Sequence, residues 1–233
     1  MLTIYLALLL GLAQYYSEDL LKKFRDYQQV ISFAAGISVA YLFLELLPQF
    51  FNRVMQASRE LFLFVLLGFT IINITEKVIR KYHTKNMKKE LHYFHAINAY
   101  FYHFVIGIVM VEVGQFGPLN EVLFFFPILI HFAVSSAVEQ HLHPYLMAKF
   151  EKKLWFKILF ASSTLFGALI AIFIPIKPLI VYALFGFMLG TLMYIVIREA
   201  IPYKREGYPA YFMWGVFVYT LIILFFWRIL NVA

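Results

Sequence analysis

The chain has 233 residues, of which 63% are hydrophobic and only 14% are charged, and its formal net charge is +7. A soluble domain of this length could not bury so much apolar surface, so the composition excludes an ordinary globular protein and predicts one that lies in a lipid bilayer. The absence of cysteine excludes disulfides and thiolate metal sites.

Eight apolar stretches are each long enough, or nearly long enough, to cross a bilayer, which takes about 20 residues. They lie at about 2–16, 29–50, 60–79, 92–113, 119–142, 155–175, 178–200 and 210–231. The apolar runs are continuous and do not alternate at every second residue, so they predict helices and not membrane strands. The expected fold is an all-α, polytopic membrane protein with eight transmembrane helices, forming a single transmembrane domain over 1–233.

Basic residues are concentrated in alternate loops between these stretches. The first, third, fifth and seventh loops hold sixteen of the twenty Lys and Arg residues. Because positively charged loops stay in the cytoplasm, both termini are expected outside the cytoplasm. This distribution explains the basic net charge without a nucleic-acid partner and leaves the bilayer as the expected environment.

Two segments in opposite halves of the chain share one pattern. In 36–48 and in 190–202, a glutamate lies nine residues after a glycine and three residues before a proline. Repeated halves around a middle segment are typical of transporters whose substrate site lies between the repeats, near the bilayer midplane. The pattern therefore predicts an inverted 3+2+3 repeat, in which helices 1–3 and 6–8 enclose helices 4 and 5.

Histidines near the middle of the fourth and fifth stretches are the candidate metal ligands. His103 and His131 lie at a depth where polar groups are costly, and imidazole is the commonest ligand of transition metals. Ser135 and Glu139 follow His131 by four and eight residues, on a stripe that leads toward the cytoplasm. We expect His103 and His131 to bind a divalent metal, Zn²⁺ as substrate, with Asn98, Ser135 or Glu139 completing the site.

Other uses of the histidines stay open. A buried histidine can bond to one of the sixteen tyrosines or to a backbone carbonyl in place of a metal. The His-x-x-His pattern at 92–95 and the His-x-His pattern at 141–143 would also suit an intramembrane enzyme or a haem protein. No nucleophile and base accompany either pattern, so no enzyme is predicted.

Three segments resemble a known family. The run 34–48 resembles the second helix of ZIP (Zrt/Irt-like) metal transporters, 190–202 resembles their seventh helix, and 162–170 is similar to the small-residue pattern of their sixth. The resemblance extends over nearly the whole chain. It implies eight helices with both termini outside, transport of zinc, iron or manganese by alternating access, and a homodimer.

The resemblance also implies metal ligands on the fourth and fifth helices, where this chain departs from the family pattern. The family's ligand positions are occupied by Asn98, Ala99 and Tyr102 on the fourth helix and by His131, Phe132 and Ser135 on the fifth. Of these positions, only His131 has the residue that the family pattern has there. A second possibility therefore stays open, a ZIP-fold membrane protein that acts as a sensor, a partner subunit or a carrier of another solute.

Overall fold

The structure is a computed structural model that describes residues 2–21, 27–83, 87–142, 154–200 and 208–229. Its helices are α1 Leu2–Leu21, α2 Tyr27–Tyr41, α3 Leu47–Ala57, α4 Phe62–Tyr82, α5 Met87–Gly114, α6 Pro118–Leu142, α7 Leu154–Phe173, α8 Pro178–Ala200 and α9 Pro209–Ile229. Within these ranges the chain forms no strand, which confirms the all-α prediction. Three helices begin at a proline, because the missing N–H costs nothing in a first turn.

Five helical segments in the described ranges are long and apolar enough to cross a membrane. They are Gln28–Ala57, Arg59–Tyr82, Lys89–Gly114, Pro178–Arg198 and Pro209–Arg228. Shorter apolar helical segments cover Leu2–Tyr16, Pro118–Ile130 and Lys157–Phe173. Only 17% of the last long segment is buried inside the protein, and its remaining apolar surface suits contact with lipid. The chain is thus a multi-pass α-helical membrane protein by length and composition.

A π-helical turn, Leu42–Leu46, joins α2 to α3 with helical backbone angles at both junctions. The two helices therefore form one continuous helical segment, which we call the α2–α3 rod. The turn precedes Pro48, which has no N–H and whose ring clashes with the carbonyl four residues earlier in a regular helix. The N–H of Leu47 bonds to the carbonyl of Leu42, five residues back. The rod continues to Ala57, beyond the end predicted near residue 50, because α3 is amphipathic and buries Phe50 and Val54.

Three helix pairs form the most extensive packing: α5 with α7, α4 with α8, and α2 with α9. The first helix, α1, packs against α6 and α7, while α6 also packs against α2 and α5. The eighth, α8, packs against α5 and against the α2–α3 rod. The rings of Phe50, Phe124 and Phe185 meet edge to face in the core and join α3, α6 and α8.

Each of the three main pairs crosses at two glycines. The pairs are Gly36 with Gly215, Gly68 with Gly190, and Gly107 with Gly167. Every one of these glycines faces the carbonyl oxygen of the residue three positions before its partner glycine, and a methyl group there would overlap that oxygen. In a bilayer, small residues allow backbones to approach and form Cα–H···O contacts. The glycines therefore set the register of all three crossings.

Candidate functional site

The structure places His103 in the interior, on α5 and one turn before the α5–α7 crossing. Its side chain is buried, and its Nδ1 lies 2.8 Å from Nε2 of Gln14 on α1. The amide oxygen and nitrogen of a glutamine are assigned from their hydrogen bonds, and the reverse orientation would let Gln14 accept from Nδ1. In that orientation Nε2 of His103 presents its lone pair, as a metal-binding histidine does when a second group orients the ring.

The other predicted ligands lie on α5 and α6. Asn98 is buried, but it precedes His103 by five residues on a continuous helix, which separates the two side chains by about 140° around the axis. The helix α6 runs through the positions of His131, Ser135 and Glu139 and packs against α5. The side chains of those three residues lie outside the described part of the structure. The helices that should carry the site are therefore neighbours, while the predicted site stays a prediction.

Among the side chains that the structure describes, no group of three or more His, Asp or Glu is placed to hold a metal ion. The main clusters of described polar side chains lie at three places. One is at the π-helical turn, one is on α3, and one is where α4 and α8 end.

The π-helical turn carries Glu45, whose side chain is only 6% exposed. Its Oε1 accepts a hydrogen bond of 2.5 Å from Nε2 of Gln49, one turn later. Tyr41 and Tyr219 lie close enough to interact electrostatically with the carboxyl group, and their rings meet edge to face at 6.2 Å. Neither tyrosine hydroxyl has a hydrogen-bond partner in the described part of the chain. Among the side chains that the structure describes, the groups around the buried Glu45 carboxyl are therefore neutral.

A polar cavity of about 410 Å³ lies between α3, α5, α6 and α8. It is lined mainly by Gln49, Asn52, Arg53, Gln56, Asn120 and Tyr182. Four of these residues lie on one face of α3, and Gln49 also bonds to Glu45. We call this face the α3 polar stripe: Glu45, Gln49, Asn52, Arg53 and Gln56. It leads from the cavity to the π-helical turn.

Arg53 holds the wall of this cavity in place. Its Nη1 lies 3.7 Å from Oε1 of Glu112, and its guanidinium lies over the ring of Phe116 at 4.6 Å. The hydroxyl of Tyr182 donates to the same Glu112 oxygen at 3.4 Å. The arginine charge is therefore compensated at the cavity and not at Glu45.

A second buried carboxylate, Glu76, lies at the opposite end of the bundle and is 4% exposed. Its Oε1 accepts from Nε and Nη2 of Arg80 at 2.9 and 2.6 Å. Its Oε2 accepts from the hydroxyl of Tyr194 at 2.9 Å and from Nη1 of Arg198 at 3.0 Å. The same Arg198 nitrogen lies 3.2 Å from Nε2 of His95. The network ties α4, α5 and α8 together.

Sequence reasoning missed the Glu76 network and the α3 polar stripe. The Glu76–Arg80 spacing of four residues is a helical ion-pair signal that could have indicated the first. The polar residues after Pro48 recur at helical spacing and could have indicated the second. Glu45, the glutamate of the 36–48 pattern, accepts a hydrogen bond from Gln49. Its counterpart Glu199 has its side chain outside the described part.

The chain matches no protein-family model and no curated protein. The fold and composition define its class, a multi-pass α-helical membrane protein. Any more specific function therefore depends on the packing and polar groups described above.

Proposed function

We propose that the chain is a membrane transporter of divalent transition-metal cations, with Zn²⁺ as the first candidate, built as an inverted 3+2+3 repeat of the ZIP type. One observation carries this proposal. The main helix pairings are preserved when α1, the α2–α3 rod and α4 are exchanged with α7, α8 and α9, and α5 is exchanged with α6. In this exchange α1 corresponds to α7, the α2–α3 rod to α8, α4 to α9, and α5 to α6.

The exchange relates one observed pairing to another throughout the main packing. The α4–α8 pair becomes the α9–α2 pair, α5–α7 becomes α6–α1, and α5–α8 becomes α6–α2. The pairs α1–α7 and α5–α6 are exchanged with themselves, as expected for contacts across a two-fold axis. A two-fold axis in the membrane plane is the symmetry of inverted-repeat transporters.

Two of the three glycine crossings, Gly36 with Gly215 and Gly68 with Gly190, are related by the same exchange. Gly36, nine residues before Glu45, faces the carbonyl of Phe212, while Gly190, nine residues before Glu199, faces the carbonyl of Val65. Each carbonyl belongs to the residue three positions before the partner glycine. The match between 36–48 and 190–202 thus extends from sequence spacing to equivalent contacts, which supports an internal repeat.

In this proposal α5 and α6 lie between the repeats and carry the substrate site. His103 and His131 supply imidazole nitrogens, which suit a transition metal better than Mg²⁺ or Ca²⁺. Gln14 orients His103 from the first repeat. With both termini outside, the polar cavity opens outward and the Glu76 network lies on the cytoplasmic side. Alternating access would then move α5 and α6 against the repeat helices.

A second candidate function is a ZIP-fold protein that senses or carries another solute. It is favoured by the Gln14–His103 hydrogen bond, which gives His103 a structural partner, and by the position of Asn98 on another side of α5. Metal uptake distinguishes the two candidates.

Replacing His103 with alanine should reduce metal uptake to the level of protein-free vesicles, because the substrate site loses a ligand from α5. The measurement is Zn²⁺ entry into lipid vesicles that contain the purified protein and a Zn²⁺-sensitive dye. His83→Ala is the matched control, since His83 is half-exposed and bonded to Glu90 at the start of α5. If the wild-type protein takes up Zn²⁺ and the His103→Ala variant takes it up equally fast, this site is ruled out.

A further inference from the structure

We propose that Glu45 is a proton-binding carboxyl group that exchanges its proton with water in the polar cavity, at a site separate from the histidines. The proton site follows from the surroundings of Glu45 alone. Its role as the coupling site of a transporter rests on the proposed function.

Two carboxyl groups, Glu45 and Glu76, are about equally buried but differ in their charged partners. Glu45 is 6% exposed and Glu76 is 4% exposed. Arg80 and Arg198 both donate to Glu76, so its negative charge is compensated. Glu45 receives its one described hydrogen bond from the neutral amide of Gln49. A buried carboxylate without a counter-charge costs several kcal/mol, and such a group becomes neutral by binding a proton or a cation.

The described ionisable groups that interact electrostatically with Glu45 from α2 and α9 are Tyr41 and Tyr219, and Tyr102 on α5 interacts with Tyr41. All three are neutral phenols in the physiological range. On α3 the nearest charge is Arg53, two turns away and paired with Glu112.

The eighth helix, which packs on the π-helical turn, supplies no compensating charge among its described side chains. Its Tyr182 lines the cavity, and its Tyr194 and Arg198 bond to Glu76. The helix α6, which packs on α2, has its described acidic residue, Glu121, in its first turn.

The neighbouring groups suit a carboxyl group that gains and loses a proton. The amide oxygen of Gln49 and the hydroxyls of Tyr41 and Tyr219 have no hydrogen-bond partners in the described part of the chain. The Gln49 side chain donates to Glu45 through its amide nitrogen, and its amide oxygen can accept from a protonated Glu45. Gln49 can therefore serve as a donor to the ionised form and as an acceptor from the protonated form.

The α3 polar stripe supplies the route to water. Gln49 contacts Glu45 on one side and the cavity on the other, and Asn52 and Gln56 continue along the cavity wall. A hydronium ion in the cavity water transfers a proton to the Glu45 carboxylate: one of its O–H bonds breaks, a new O–H bond forms on the carboxylate, and a water molecule remains. The new bond breaks when the proton returns to water, so no other reactant is needed.

Labelling with dicyclohexylcarbodiimide tests the site, because this hydrophobic reagent reacts with buried carboxyl groups that are protonated. The protein in lipid vesicles, without metal, is labelled over a pH series and each carboxyl group is quantified by mass spectrometry. We expect Glu45 to be labelled several-fold more than Glu76 and its labelling to fall as the pH rises. Glu76 is the internal control, with the same burial and two arginine partners.

Two further measurements, an infrared spectrum and a test of protection by cations, decide whether Glu45 binds a proton. The infrared band of a protonated carboxylic acid should be present at low pH and absent from Glu45→Gln, whether or not the reagent reaches the site. Absence of both the label and the band would overturn the proposal. Protection of Glu45 by Na⁺ but not by choline at constant pH would make this a sodium site and would also overturn it. Neither readout needs metal transport, so the two proposals can fail separately.

Discussion

Replacement of Gly190 with alanine is expected to destabilise the protein by about 3 kcal/mol, the upper part of the range for overpacking a tight contact. The added methyl group would overlap the carbonyl oxygen of Val65 and lie 2.8 Å from the backbone nitrogen of Phe69. Both atoms belong to the backbone of α4, so no change of side-chain rotamer relieves the overlap. The midpoint of thermal unfolding in detergent measures the loss.

Gly36→Ala should have the same effect, because its methyl group would overlap the carbonyl of Phe212 and lie 3.0 Å from the backbone nitrogen of Val216. The control is Ala210→Val, which adds apolar bulk at an exposed position on α9. Equal losses in the two glycine variants support equivalent crossings in the two halves. A large loss in one variant and none in the other would contradict that equivalence.

Arg198→Ala should destabilise the protein by about 3 kcal/mol, because it removes a partner from a buried carboxylate. Arg198 is 18% exposed and donates to Oε2 of Glu76. Arg80 donates to Oε1 of the same carboxylate, but it is 52% exposed, so water can replace much of its contribution. Arg80→Ala should therefore cost about 1 kcal/mol or less.

The two arginine variants are compared by the same unfolding measurement. The ratio of the two losses in stability tests whether burial of the arginine, and not its number of hydrogen bonds, determines how much it stabilises the network. Equal losses would mean that the two arginines support Glu76 to the same extent and would contradict the dependence on burial.

The helices could be predicted because a chain in lipid must pair its backbone groups within each segment, so continuous apolar runs become helices. The end of α3 could not be predicted from apolarity, since its polar residues line a cavity while Phe50 and Val54 hold the other face in the core. The π-helical turn depends on a local cause, Pro48, but its extra residue is visible only in the backbone bonding.

The polar groups were harder to predict because their partners are distant in sequence. Arg198 meets Glu76 across 122 residues, and Gln14 meets His103 across 89. Spacing alone identifies a pair within one helix, such as Glu76 and Arg80, but not a partner on another. Gly36 and Gly190 could be identified from the sequence because they share a pattern. The contact between Gly107 on α5 and Gly167 on α7 could not, because nothing in the spacing relates the two residues.

Metal titration of the purified protein tests the transporter proposal most directly. We expect calorimetry to show binding of one Zn²⁺, Fe²⁺, Mn²⁺ or Co²⁺ ion per chain, lost when His103 and His131 are both replaced by alanine. Gln14→Ala should weaken binding about tenfold, because it removes the group that orients His103. Absence of binding for all four ions, or unchanged binding in the double variant, would contradict the metal-transport account.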